Sequence, residues 1–70
     1  MKPEAQVRQE FASYFLDLRE EHAREGIGAY ASKHDEWRRF VDHLASEDQV
    51  PPSASRWKCP KNLQKALATG

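Results

Sequence analysis

The sequence predicts an all-α fold: an antiparallel helical hairpin, followed by a Pro-rich linker and a short C-terminal helix packed on the hairpin. Three observations carry this prediction. Large apolar residues recur at helical spacing over two stretches. Residues that start, stop or forbid helices, namely Pro3, Gly26, Ser32, Pro51-Pro52 and Pro60, fall between those stretches. With 70 residues the chain makes one domain at most, and it buries only about 60% of its unfolded surface, so its core is small and its stability marginal.

Helix 1 is expected over about residues 3–25. Pro3 suits a first helical turn, where its missing N–H costs nothing, and Glu4 complements the positive end of the helix dipole. Gly26 is the residue expected just past a helix C-terminus, where a left-handed conformation is required. At about 100° per residue, Val7, Phe11, Tyr14, Phe15, Leu18 and His22 share one stripe, the face that packs on a core. Glu10, Ser13, Asp17, Glu20 and Arg24 form the solvated side. A second strip lies roughly half a turn from Val7: Leu16 with Ala5, Ala12 and Ala23, bordered by Arg8 and Arg19.

Gly26 and Gly28 imply a sharp reversal with Ile27 and Tyr30 tucked inward. Helix 2 follows over about residues 33–46. Ser32 is its cap, and Asp35 three residues on makes a near match to the capping box. Trp37, Phe40, Val41 and Leu44 form its apolar face, with Glu36, Arg39 and His43 turned to water. Residues 47–59 read as a linker, because a double proline favours extended polyproline geometry. Pro60 then opens a short helix over about residues 60–68, carrying Leu63, Ala66 and Leu67, which forms only by docking.

The single Cys59 excludes an internal disulfide and argues for a reducing compartment; the cytoplasm is the expected location. No apolar run approaches the roughly 18 residues of a membrane span, so no membrane partner is expected. The chain as a whole is neutral, but its charge is unevenly placed. Residues 54–70 hold Arg56, Lys58, Lys61 and Lys65 and no acid, so residues 1–53 carry seven basic against eleven acidic side chains, a net of −4. Such a tail reaches for an acidic partner or nucleic acid, or else folds back on its own acidic body. In the second case Trp57 caps the hairpin core and the lysines pair with Glu20, Glu21 or Glu25.

Motifs for catalysis are lacking. His22, His34 and His43 have no i,i+4 histidine partner, and Cys59 alone cannot complete a structural zinc site. Gly26 and Gly28 make no phosphate loop or dinucleotide fingerprint. No metal, cofactor or catalytic residue is therefore expected, and the protein is expected to work by binding rather than as an enzyme.

Two surfaces invite a binding role. The first is the alanine-lined strip around Leu16, which lets another helix approach closely, including helix 1 of a second copy. The second is Arg56-Trp57-Lys58, an aromatic between two cations, to which Arg38 and Arg39 of helix 2 add charge. A helix-turn-helix DNA reader fits poorly, because helix 1 is long for a scanning helix and the body is acidic. The expected role is thus a small interaction module, probing another protein with Leu16, Arg19, Arg38, Arg39, Arg56, Trp57 and Lys58, as a homodimer through helix 1. An inhibitor or adaptor would behave in this way, and accessory proteins of bacteriophages and other mobile elements are often compact chains of this kind. A DNA- or RNA-binding regulator using Arg38, Arg39 and the basic tail is the alternative, and a structural subunit of a larger assembly is a third.

Overall fold

The computed structural model describes residues 1–28 and 31–68, and among these the chain is all-helical. Helix α1 spans Glu4–Arg24 and α2 spans Lys33–Ser46; a 3₁₀ turn over Pro52–Arg56 follows, and α3 spans Leu63–Ala68. The hairpin with a short third helix packed on α1 is the architecture expected from the sequence.

Local chemistry explains where the two long helices stop. Pro3, extended at φ −75°, ψ 160°, caps α1 from just outside, and its carbonyl accepts the Val7 N–H at 3.1 Å. At the other end the Gly26 N–H donates to the Ala23 carbonyl and the Ile27 N–H to the His22 carbonyl, at 3.3 and 2.9 Å. With Gly26 at φ +75° these bonds form a Schellman motif, satisfying carbonyls that the helix leaves unpaired. Ser32 caps α2 as expected, its hydroxyl accepting the Asp35 N–H at 3.2 Å. Helix α2 ends in a second Schellman motif, with the Asp48 N–H on the Ala45 carbonyl and the Gln49 N–H on the Leu44 carbonyl, at 3.1 and 2.9 Å. Here the left-handed residue is Asp48, at φ +57°.

The core is centred on Phe11, which is fully buried. Its ring meets Trp37 edge-on at 5.2 Å and lies 5.6 Å from both Phe15 and Phe40. Aromatic pairs in such tilted and edge-on arrangements add about 0.5–1.5 kcal/mol beyond the area they bury. Val7, Ala12, Val41, Leu44, Val50, Ala54 and Leu63 complete the buried cluster. The core thus draws on every element, including the stretch between α2 and α3.

Several expectations need correction. Residues 47–59 are not a simple extended linker: Val50 and Ala54 are buried, and Pro52 opens the 3₁₀ turn that packs on α2. Proline fixes φ near the value that a first helical turn requires, so of the two prolines Pro52 enters the turn while Pro51, at ψ 161°, is extended. Helix α3 begins not at Pro60, which is fully buried ahead of it, but at Leu63, where the Asn62 side-chain oxygen accepts the Lys65 N–H at 3.1 Å.

The apolar stripe on α1 also stops early. Its last buried residue is Phe15, while Leu18 and His22 are half-buried. Twenty-one residues make a rod of about 32 Å, which overshoots the 14-residue α2. The overhang explains why Ile27, expected to tuck inward, is 40% exposed. Tyr30 lies outside the described residues. Tyr14 is 42% exposed, stacks on Phe40 at 5.7 Å and donates its hydroxyl to Glu36 at 3.3 Å. Partial burial, and then the nearby Glu36 carboxylate, raise the Tyr14 phenol above its ordinary value. Glu36, expected in water, is only 13% exposed in its side chain and accepts from Arg39 as well, at 3.4 Å.

Candidate functional site: the pinned basic tail

The strip around Leu16 is covered in part from within the chain, with Ala5 and Ala23 left exposed. Helix α3 packs on that side of α1, Ala12 is fully buried, and Leu16 is half-buried against the core. Small side chains there do let a helix come close, but the helix they admit is α3. It runs antiparallel to α1, since Leu63 and Gln64 line a groove with Phe15, Leu16 and Arg19, while Lys65 and Ala66 line another with Glu4, Ala5, Arg8 and Gln9.

The segment leading into α3 is held by side chains. Trp37 Nε1–H donates to the Trp57 carbonyl at 3.1 Å, and the Arg8 guanidinium donates to the Lys58 carbonyl at 3.2 Å. Lys33 Nζ donates to the Lys61 carbonyl at 2.9 Å, and the Cys59 thiol points back to the Lys33 carbonyl at 3.8 Å. Backbone carbonyls without a helix or sheet must find other donors, and here α1 and α2 provide them. Half-buried Trp57 packs against the core, as expected of a residue that caps it. Burial pushes the Cys59 thiol above its ordinary value, against the opposing pull of Lys33 and Arg8.

Carbonyl pinning leaves the cationic side chains free to face outward. Arg56, Lys58 and Lys61 are exposed, and among the described residues none of them forms an ion pair. Among the described residues, Arg56, Lys58 and Lys61 do not pair with Glu20, Glu21 or Glu25, and Glu20 sits 3.8 Å from Arg24 on its own helix.

Three surface grooves border this tail. The largest, about 860 Å³, lies between the N-terminal half of α1 and residues 58–66. Arg8, Lys58, Lys61 and Lys65 stand around it with Glu4 as its one acid, and Ala5, Cys59 and Ala66 contribute small apolar surface. Another, about 500 Å³, brings Arg38 beside Trp57 and Lys58. Of the seven residues singled out in the sequence, Leu16 and Arg19 therefore share one groove and Arg38, Trp57 and Lys58 another. Arg39 is drawn aside to Glu36, and Arg56 stands exposed at the end of the 3₁₀ turn. Sequence reasoning missed Arg8, Lys61 and Lys65 as one group. The available signal was the i,i+4 spacing of Lys61 and Lys65 within the acid-free tail.

Among the described residues, no three histidine, cysteine, aspartate or glutamate side chains gather in a group able to hold a metal ion. Nor, among those residues, is any helix long and apolar enough to cross a membrane. No protein-family model matches the chain, and neither does any curated protein or solved structure.

Proposed function

We propose that this protein is a non-enzymatic interaction module that docks on another protein and modulates it, as an inhibitor or adaptor does. The observation that supports this reading is the exposed charge of Arg56, Lys58 and Lys61 on a docked tail, with no ion pair to an acid among the described residues. A preorganised charged rim steers a complementary surface into register without the entropic cost of ordering a loose tail. A second copy meeting helix 1 at the Leu16 strip would find Ala5 and Ala23 exposed but Ala12 buried and Leu16 half-buried.

Nucleic acid is the rival ligand, favoured by the approach of Arg38 to Trp57 and Lys58. Against it stands a body of net charge −4, which repels phosphate beyond the few cations of the tail. Trp57 is also half-buried, which limits its use as a stacking platform.

The two are separated by capture from nuclease-treated lysate of the native host, paired with titration of labelled single- and double-stranded oligonucleotides. A protein retained stoichiometrically after nuclease is expected, with oligonucleotide binding negligible by about 200 mM salt. Retention that vanishes with nuclease, together with oligonucleotide affinity that falls steeply from about 50 to 200 mM salt, would overturn the reading.

A further inference from the structure

We propose that the groove between the N-terminal half of α1 and the tail is the docking site, and that its occupant is an acidic, amphipathic segment of the partner protein. This inference rests on the reading of the protein as a protein-binding module. Arg8, Lys58, Lys61 and Lys65 line the groove, and Glu4 is the one acid among its described lining residues, in a molecule of zero net charge. Glu4 is itself 3.4 Å from Arg8, so the one acid of the rim is already turned toward a cation.

The floor selects for more than charge. Ala5, Cys59 and Ala66 present small side chains, leaving room for apolar side chains of the ligand between its carboxylates. A volume of about 860 Å³ admits several such side chains at once. The rim is also anchored: Arg8 holds the Lys58 carbonyl and Lys33 holds the Lys61 carbonyl, so the two lysine side chains leave the backbone from fixed points. Carboxylates spaced along one side of a peptide match this arrangement. A phosphate backbone does not, because it gains nothing from the apolar floor and continues past the groove toward the acidic body.

The test uses the full chain and a labelled peptide of about 15 residues, roughly four helical turns, in which Glu alternates with Leu and Ala at amphipathic spacing. Three controls accompany it: the same peptide with Gln for Glu, a Glu-only peptide, and a single-stranded oligonucleotide of equal charge. The Glu/Leu peptide is expected to bind more tightly than all three, and K58E/K61E is expected to weaken it by about tenfold or more. Both lysine side chains are exposed, so the variant should keep the wild-type melting curve, which circular dichroism checks. Ala66→Gln fills the floor with a neutral side chain, leaves the rim charges unchanged, and should weaken the Glu/Leu peptide while sparing the Glu-only one. No peptide binding, binding indifferent to K58E/K61E, or preference for the oligonucleotide would overturn the proposal. Captured protein retained equally by wild type and K58E/K61E would refute the groove and leave the interaction module standing. Loss of all captured protein from the wild type after nuclease would refute the module itself.

Discussion

Cys59 shows how much one side chain's setting can change its chemistry. It stands in a tail rich in cations, and proximity to Lys33 and Arg8 alone would favour the thiolate. Burial outweighs them and holds the thiol above its ordinary value, so less thiolate is present at any given neutral pH. Alkylation by iodoacetamide near neutral pH should therefore be slower for the folded protein than for a short peptide spanning Trp57–Lys61. Urea should abolish the difference, and equal rates in the absence of urea would contradict the burial. Position in the sequence gave no indication of this, since burial depends on contacts with residues distant in the chain. What decides it is the burial that the tail acquires by packing against the core.

The ends of the helices show what local chemistry can and cannot announce. Pro3, Gly26 and Ser32 act through their own backbone or side chain, and the bounds of α1 and α2 lie within a residue of where those three place them. Asp48 gave no such notice, because aspartate is a rare choice for the left-handed position of a Schellman motif. A left-handed conformation costs an L-residue about 1–2 kcal/mol, while glycine avoids that strain and loses about 0.5–1 kcal/mol of chain entropy instead. Asp48→Gly should accordingly stabilise the protein by about 0.5–1 kcal/mol, read from the midpoint of urea unfolding. A destabilised variant would mean that the Asp48 side chain makes a contact worth more than the strain it carries. The 3₁₀ turn and the late start of α3 were illegible for a different reason. Prolines restrict φ but leave ψ open, and whether Pro52 and Pro60 begin helices depends on which surfaces Ala54 and Leu63 find to bury against.

Long-range packing is also why the candidate site could not be read in advance. The acid-free tail was visible as a run of charge, but its groove exists only because α3 lies antiparallel on α1 and brings Arg8 next to a segment 50 residues away. The same packing makes the tail part of the core. Ala54, Pro60 and Leu63 are buried, and in so small a domain the loss of three such residues removes much of a marginal stability. A chain ending at Pro51 should lose its cooperative thermal transition and the near-ultraviolet dichroism of Trp37. Survival of a sharp transition within a few degrees of the intact protein would show instead that the hairpin folds alone.

The overhang of α1 sets the two ends of the fold to different uses. Both Glu4 and Ala66 border the basic groove, so a label attached at either position stands beside the surface it is meant to report on. Gly26 and Gly28 sit at the opposite end of α1, beyond its last buried residue, and an added Cβ at either meets nothing within 4 Å. The turn around Gly28, where φ is not left-handed, is therefore the place to graft a dye, a spin label or a surface tether while leaving the groove open to whatever approaches it.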